Sequence, residues 1–264
     1  MAWRAALAPY FVEHGLDPAA PVPAAGRMPF DDVCCGIVED WRPAVVSFHF
    51  GLPSAGLVAR VKSWGSKVIA SATTVAEAVW LERHGVDAIV AQGLEAGGHR
   101  GMFLSDDLTT QVGTFALVPQ VVRAVRVPVI AAGGIADAKG VAAVMALGAA
   151  GAQVGTTYLM CPEATITAVH RAALASDASR HTALTNLFTG SPSRGIVNRV
   201  MRELGPISDA PPAFPLATSA IAPLRAKAEA RGSGDFSPLW SGQNATGCRA
   251  EPAGRLTRAL AGVG

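Results

Sequence analysis

The sequence has little charge and few aromatic side chains. Of its 264 residues, 16% are charged and 6% are Phe, Trp or Tyr, whereas 50% are hydrophobic. Lys and Arg number 22 against 20 Asp and Glu, and no block of five or six like charges is present to follow a phosphate backbone. The composition therefore disfavours a nucleic-acid partner, and its apolar content predicts a buried core and excludes a wholly disordered chain.

Long apolar runs and patterned cysteines are also missing. The longest uncharged stretch, 140–162, contains four glycines and consecutive polar positions, so it predicts a buried helix, a loop and a strand instead of a membrane span. The first residues include Pro9 and Glu13 in place of an apolar run with a cleavage site, so no secretory signal is visible. The four cysteines have neither metal-ligand spacing nor disulfide density. We therefore expect a reduced, cytoplasmic protein with no metal site and no membrane partner.

Short strand-like runs alternate with helical patterns from residue 45 onward. The predicted strands are 45–51, 67–73, 87–93, 127–134 and 151–156. The segments with helical spacing are 54–64, 74–84 and 136–147. Each of these segments is followed by a glycine where a helix C-cap glycine belongs. Nearly continuous apolar strands that alternate with helices predict a parallel sheet buried on both faces, either open or closed into a barrel.

The number of strands suggests an incomplete barrel. Residues 1–44 are rich in Pro and Ala and predict an excursion with short helices; residues 45–160 hold the β/α pattern, and residues 161–264 predict a helical region that caps it. A β/α barrel has eight strands and commonly binds phosphate after strands 7 and 8. If the two glycine loops described next are that site, the run at 45–51 is strand 4. The expected fold is therefore α/β, a TIM-type (β/α)8 barrel that is N-terminally truncated, with strands 4–8 present and a C-terminal helical extension.

Two glycine-containing loops suit a phosphate group. Gly133 and Gly134 follow a strand and precede a helix whose predicted N-cap is Asp137 or the turn before it, so backbone N–H groups and a positive helix end would face an anion. About twenty residues later, Gly155 allows close approach and Thr156 supplies a hydroxyl. Motifs for nucleoside triphosphates and for dinucleotides in a Rossmann fold are absent from the sequence. The phosphate of flavin mononucleotide (FMN) suits the pattern better.

A third loop, 91–103, follows the predicted strand at 87–93. Gln92 can donate and accept hydrogen bonds, as the pyrimidine edge of a flavin requires. The pair Gly97 and Gly98 lets backbone approach a flat ring, and His99 follows as a candidate base, because histidine titrates near neutrality. The alternative is that His99 only satisfies a hydrogen bond of the loop.

Other polar residues have weaker signals. His49, at a predicted strand end, is a candidate for the substrate pocket. Glu95 is an acid, a residue that orients its loop, or a solvated side chain. Arg194 either meets an anion or lies in a surface turn. Four further histidines are expected to be solvated surface residues: His14, His84, His170 and His181.

Four sequence motifs together resemble the nitronate monooxygenase family, formerly called 2-nitropropane dioxygenases. They are AQGLEAGGHRG (91–101), PVIAAGGI (128–135), QVGTTYL (153–159) and DFSPLWSGQNATGC (235–248). The resemblance runs from about Ala44 to the C-terminus. The EAGGH motif is shared with flavin-dependent enoyl-acyl carrier protein reductases, whereas the WSGQNATGC tail favours the nitronate enzymes.

The resemblance implies an FMN-dependent β/α barrel, a monooxygenase that oxidises alkyl nitronates or nitroalkanes with O2 to a carbonyl compound and nitrite without a metal. It implies His99 as the catalytic base, needed chiefly when a neutral nitroalkane must first be deprotonated. The implied FMN contacts are Gln92, Gly97, Gly134, Gln153, Val154, Gly155 and Thr156. Family members normally begin with three strands whose turns lie near the flavin, and these are not found here. The alternatives are an enoyl-acyl carrier protein reductase and an inactive truncated fragment; the oligomeric state is left open.

Overall fold

The computed structural model describes residues 2–22 and 28–263. These residues divide into two compact units. The first, called here the sheet unit, contains residues 28–96, 100–154 and 258–263; the second, called the hairpin unit, contains residues 2–22, 97–99 and 155–257. This division differs from the predicted ranges 1–44, 45–160 and 161–264, because the described residues before 23 group with those after 154. Residues 1, 23–27 and 264 of the predicted ranges lie outside the described residues.

The described residues form strands and helices in the following order. The strands are β1 (Val45–Phe48), β2 (Lys67–Ala72), β3 (Ala88–Gln92), β4 (Gly98–His99), β5 (Val129–Ala132), β6 (Gly151–Gln153), β7 (Thr182–Thr185) and β8 (Ser193–Ile196). The α-helices are α1 (Ala2–Glu13), α2 (Asp32–Trp41), α3 (Ala55–Ser63), α4 (Val75–Arg83), α5 (Thr114–Ala124), α6 (Ala138–Ala146), α7 (Ala168–Leu174), α8 (Arg199–Leu204), α9 (Ala217–Glu229) and α10 (Ala253–Leu260). None of the helices in the described part of the chain is both long and apolar enough to cross a membrane.

The sheet unit is built on a five-stranded parallel sheet in the order β1-β2-β3-β5-β6. The predicted parallel α/β fold is confirmed, and all five predicted strands form. Each strand ends one to three residues before its predicted last residue. Closure into a barrel is not confirmed, since β1 and β6 each pair with one strand among the described residues. The predicted truncation stays a prediction.

Local signals set the ends of the helices around this sheet. The side chain of Asp137, the predicted N-cap of α6, accepts a hydrogen bond from Gly140 N at 2.8 Å. The predicted C-cap glycines at 65, 85 and 148 all have positive φ, from 86° to 96°, where a residue with a Cβ is strained. Helix α5 is not predicted by the sequence pattern, because Gly113 gives it no side-chain cap and Pro119 lies inside it.

The core of the sheet unit is made of small and β-branched side chains. Alanines such as Ala70 and Ala91 in the strands let the helices pack close to the sheet, and the helices contribute larger buried side chains to the same core. Leu81 of α4 and Leu117 of α5 are both fully buried in this core. Burial of both faces accounts for the nearly continuous apolar strands in the sequence.

The hairpin unit contains a three-stranded antiparallel sheet in the order β4-β8-β7. This differs from the predicted helical region at 161–264, because β7 and β8 lie within it. Helices α1 and α9 contribute to a separate apolar core, in which Trp3 Nε1 donates to the carbonyl oxygen of Ala217 at 3.3 Å. Phe236, from the motif at 235–248, is buried in the same core.

Helix α5 offers a test of this packing. We expect Leu117→Ala to lower the free energy of unfolding by about 2–5 kcal/mol, because it deletes a side chain that is 1% exposed and leaves a cavity. The control on the same helix is Phe115→Ala, whose side chain is 77% exposed and whose loss should change stability by about 0.5 kcal/mol or less. Urea unfolding measures both; equal effects would show that α5 does not pack as described.

Candidate active site

The candidate site residues of the sheet unit follow the carboxyl ends of its strands. Because the strands are parallel, these ends lie along one edge of the sheet. The structure thus brings His49, Gln92, Gly133, Gly134, Gln153 and Val154 to this edge, after β1, β3, β5 and β6. The remaining predicted site residues, Gly97, Gly98, His99, Gly155 and Thr156, belong to the hairpin unit.

A buried arginine holds the carboxyl end of β3. Arg100 is 0% exposed. Its Nη1 donates to the carbonyl oxygen of Gly93 at 2.7 Å, its Nη2 to that of Gln92 at 2.8 Å, and its Nε to Gln111 Oε1 at 2.9 Å. The carbonyl oxygens of Gln92 and Gly93, at the end of the strand, therefore accept hydrogen bonds from a charged donor. A charged donor forms stronger hydrogen bonds than a neutral one.

The arginine is linked to a buried carboxylate. Gln111 Nε2 donates to Thr73 Oγ1 at 3.0 Å, and this hydroxyl donates to Glu77 Oε2 at 2.7 Å. The other carboxylate oxygen, Oε1, accepts from Phe103 N at 2.7 Å. Glu77 is buried, so a cation and an anion inside the sheet unit are joined through two neutral side chains. This network fixes both ends of the segment 100–104.

Sequence reasoning missed this network. Thr74 and Glu77 have the spacing of a capping box, which predicts only a helix start. In the structure the Glu77 carboxylate accepts from Thr73 N at 2.7 Å instead of from Thr74, and then reaches the loop. The signal that could have found Arg100 is its position: a lone cation within a glycine-rich loop that directly follows a buried strand.

Gln92 is oriented by its own loop. The side chain is buried, and its Oε1 accepts a hydrogen bond from Gly101 N at 2.8 Å. This hydrogen bond fixes the orientation of the Gln92 side-chain amide. His49, whose side chain is exposed, approaches the same loop: a Cβ at Gly101 would lie 2.8 Å from His49 Cε1.

Glu95 orients its loop, which is one of the alternatives that the sequence left open. Its carboxylate accepts from Thr114 N, with Oε2 at 2.8 Å, at the first turn of α5. A carboxylate is favourable there because the N-terminus of a helix carries partial positive charge. The Thr114 hydroxyl lies 2.8 Å from Glu95 Oε2 and 3.0 Å from the carbonyl oxygen of Gly133. Glu95 is therefore tied to the Gly133 loop through a single side chain.

Two of the predicted cofactor-binding glycines are required by the protein itself. A Cβ on Gly97 would lie 2.5 Å from Gly242 N, and a Cβ on Gly133 would lie 2.9 Å from Thr114 Oγ1. Both distances are too short for any side chain. Packing within each unit therefore accounts for these two glycines without a ligand.

Gly155 differs from the other predicted glycines. Gly98 and Gly134 have positive φ, which by itself favours glycine. Gly155 has a φ of −111°, and no heavy atom lies within 4 Å of where its Cβ would be. Neither a positive φ nor a neighbouring protein atom therefore requires glycine at this position.

His99 lies on β4, opposite Ser193 of β8. Its Nε2 is 2.9 Å from Thr189 Oγ1. The rings of Phe214 and Trp240 flank the imidazole, with centroid distances of 5.3 and 5.6 Å. The imidazole therefore has an aromatic environment and one hydroxyl partner at Nε2. Such a bond belongs equally to a catalytic base and to a histidine that only satisfies its loop.

His170 contacts Trp240, one of the two aromatic residues beside His99. It is not the solvated surface residue that the sequence predicted. It is buried, and its Nε2–H donates to the carbonyl oxygen of Trp240 at 2.9 Å. Burial lowers the pKa of His170, so the ring is neutral near pH 7. The Trp240 ring also packs edge-on against Phe188 at 5.6 Å. Trp240 is thus held from both its backbone and its ring.

Arg194 also differs from expectation, because it does not lie in a surface turn. It is buried on β8, and its Nη1 donates to Thr182 Oγ1 at 3.2 Å on the neighbouring strand β7. Its described contact is therefore structural, with the antiparallel sheet.

The tail motif fixes the loop that carries Thr156. Gly242 N donates to Thr156 Oγ1 at 2.9 Å, and Cys248 Sγ donates to the carbonyl oxygen of Thr156 at 3.2 Å. Burial raises the pKa of Cys248 to about 11, so the thiol keeps the proton that it donates. Within residues 2–22 and 28–263, no cluster of three or more His, Cys, Asp or Glu side chains could hold a metal ion.

Comparison with known sequences points to one family. The model of the nitronate monooxygenase family matches residues 26–261. The nitronate monooxygenase of Paraburkholderia phytofirmans is 42% identical over 261 residues, which are 98% of this chain and 71% of the relative. That of Pseudomonas aeruginosa is 39% identical over 98% of this chain and 74% of the relative.

Comparison with solved structures agrees. A nitroalkane oxidase from Streptomyces ansochromogenes superposes with a TM-score of 0.90 at 38% identity, covering 98% of this chain and 74% of that one. FabK from Thermotoga maritima, in an M276A variant, gives a TM-score of 0.69 at 29% identity, covering 89% of this chain and 70% of that one.

The buried arginine gives a direct test of the site's support. We expect Arg100→Gln to lower the free energy of unfolding by about 3–5 kcal/mol, because it removes the buried hydrogen bonds to the carbonyls of Gln92 and Gly93 and the cation that faces the Glu77 carboxylate. The matched control is Arg123→Gln at an exposed position, with an expected change of about 0.5 kcal/mol or less. Urea unfolding compares them, and an Arg100 variant as stable as the control would contradict the network's role.

Proposed function

Because the chain belongs to the nitronate monooxygenase family, we propose that it is an FMN-dependent enzyme that oxidises alkyl nitronates with O2. The family membership and oxidoreductase class predicted from the sequence are confirmed by the family match over residues 26–261. The strongest support for the proposal is the match of 98% of this chain to nitronate monooxygenases. His99 and Gly155 lie in the motifs from which the function was predicted. The net reaction balances when two nitronates and one O2 give two carbonyl compounds and two nitrite ions.

The residues present fit an FMN group. Gln92 lies at the carboxyl end of β3, and its side-chain amide is of the type that suits a flavin pyrimidine edge, because an amide both donates and accepts hydrogen bonds. Gly155 leaves open the space that a Cβ would fill, and α6 begins four residues after Gly134. Backbone N–H groups at such a helix start favour a phosphate.

We assign the FMN contacts to Gln92, Gly97, Gly98, Gly133, Gly134, Gln153, Val154, Gly155 and Thr156. When bound, FMN would supply the one-electron chemistry that links the nitronate to O2. We also propose that β1, β2, β3, β5 and β6 correspond to strands 4–8 of a β/α barrel. The parallel order of these strands supports that assignment.

His99 is proposed as the base for neutral nitroalkanes. A ring nitrogen takes the α-proton as the C–H bond breaks, and the electron pair stays on the substrate as the nitronate. A substrate that arrives as the nitronate has already lost this proton and needs no base. Phe214 and Trp240 present an apolar surface beside the imidazole, which suits an alkyl chain. His49 is proposed to line the substrate pocket.

The alternative is an FMN-dependent enoyl-acyl carrier protein reductase. The names of the relatives that are 39–42% identical favour the nitronate enzyme. Two assays distinguish these activities. A reductase would oxidise NAD(P)H in the presence of a crotonyl thioester, whereas a nitronate monooxygenase would take up O2 in the presence of a nitronate.

The visible spectrum of the purified chain with added FMN is the test of the function. We expect a protein-bound flavin band near 450 nm and its bleaching on anaerobic mixing with ethylnitronate, followed by O2 uptake and nitrite release in air. A chain that stays colourless would support the inactive-fragment alternative. Bound flavin that responds only to NAD(P)H would contradict the nitronate assignment.

Replacement of the base should separate the two forms of the substrate. We expect His99→Asn to lower kcat/KM for nitroethane by about 10²- to 10⁴-fold, the usual contribution of a general base, while kcat/KM for ethylnitronate stays within about threefold. Initial rates of O2 uptake with each form measure the difference. Equal losses on both would remove His99 as the base.

Gly155 gives a test of cofactor contact that is separate from turnover. We expect Gly155→Ala to weaken FMN binding about tenfold, or about 1.4 kcal/mol, because the methyl group occupies space left for the ligand. Stability without FMN should not change. Gly151→Ala is the matched control, since its Cβ also meets open space but lies outside the proposed contacts. Fluorescence titration with FMN distinguishes them, and equal affinities would argue against contact at Gly155.

A further inference from the structure

Gly242 fixes the chemical role of the Thr156 hydroxyl. A backbone N–H can only donate, so in the 2.9 Å contact Thr156 Oγ1 is the acceptor and Gly242 N the donor. The single O–H proton of Thr156 is therefore left to donate to a different group. A phosphate oxygen is such an acceptor, and a hydrogen bond to a charged oxygen is stronger than one to a neutral oxygen. A donating Thr156 thus suits the phosphate of FMN.

Cys248 holds the backbone of the same residue. Its Sγ is 3.2 Å from the carbonyl oxygen of Thr156, and because a carbonyl oxygen only accepts, the thiol is the donor. Burial raises the pKa of Cys248 to about 11, so the thiol has its proton at neutral pH. The side chain also packs against an apolar cluster that contains Leu174, Ile196 and Leu239. The position of the thiol is therefore set by packing and not by Thr156 alone.

The rest of the Thr156 loop has a separate support. Arg171 donates from Nη1 to the carbonyl oxygen of Met160 at 3.1 Å and from Nη2 to that of Cys161 at 3.0 Å. These two carbonyls belong to the fourth and fifth residues after Thr156. Loss of the Cys248 thiol would therefore release Thr156 while the end of its loop stays in place.

We propose that Cys248 is the positioning residue of Thr156: its thiol holds the Thr156 carbonyl so that the hydroxyl donates to the phosphate of FMN, and this favours FMN over riboflavin, which lacks the phosphate. The cofactor part of this inference rests on the proposed function, whereas the hold of Cys248 on Thr156 does not. In this role Cys248 acts through Thr156 and need not touch the flavin. Its removal should therefore weaken the recognition of the phosphate and leave the binding of the ring system unchanged.

Dissociation constants for FMN and riboflavin, measured by fluorescence titration, test the specificity. We expect Cys248→Ala to weaken FMN binding about three- to tenfold, the value of one net hydrogen bond, and to leave riboflavin binding within about twofold. Cys248→Ser keeps a donor and should restore the affinity for FMN. In a Thr156→Val background, Cys248→Ala should have no further effect on FMN binding, because the hydroxyl through which it acts is gone.

The control is Cys161→Ala. It deletes a thiol that is 1% exposed from the same unit and leaves both hydrogen bonds to Thr156 intact. If Cys248→Ala and Cys161→Ala change the ratio of the two dissociation constants equally, the positioning role is overturned. Equal weakening of FMN and riboflavin in Cys248→Ala would overturn the recognition of the phosphate.

The hold on Thr156 has its own readout, which needs no flavin. The bond from Gly242 N–H to Thr156 protects this amide from hydrogen exchange, and we expect it to exchange about three- to tenfold faster in Cys248→Ala but not in Cys161→Ala. An unchanged exchange rate in Cys248→Ala overturns the proposal even if no flavin binds. If the rate rises as expected and the wild type does not bind FMN, the proposed function fails while the hold of Cys248 on Thr156 stands.

Discussion

The buried charge of Arg100 is the constraint on which the sheet-unit side of the candidate site depends. A cation without exposure to solvent is tolerated only when strong hydrogen bonds replace its hydration. Here the guanidinium obtains them from the carbonyls of Gln92 and Gly93 and from Gln111. The end of β3 cannot shift without breaking these bonds. The loop that contains Gln92 is therefore held rigid by electrostatics in a region where glycines alone would leave it flexible.

Local sequence signals determined much of the fold. Five strands, three helices, the Asp137 cap and the C-cap glycines were predictable, because each depends on residues adjacent in the chain. The pairing of β4 with β8 was not, since it joins two residues near position 98 to a segment about 95 positions later. Helix α5 was not predicted, because Pro119 and a start without a side-chain cap obscure its periodicity. The helix forms nevertheless, because burial of its apolar face stabilises it.

The candidate site was predictable in its residue types but not in the reason for each. Gly97 and Gly155 have the same status in the sequence, yet Gly97 is required by the backbone at Gly242, and Gly155 meets no protein atom. A sequence cannot separate these cases, because the distinction depends on what lies beside an absent Cβ. The contact between His99 and Thr189 could not be predicted either, because the two residues lie 90 positions apart in the chain.

The bonds from Gly242 and Cys248 to Thr156 also set the order of events during synthesis. These partners lie 86 and 92 residues after Thr156. On the ribosome, the parallel strands up to β6 are translated well before either bond can form. The Thr156 loop therefore cannot form both bonds until Cys248 has left the exit tunnel, and a cofactor that needs this loop in its final shape is acquired only after that point.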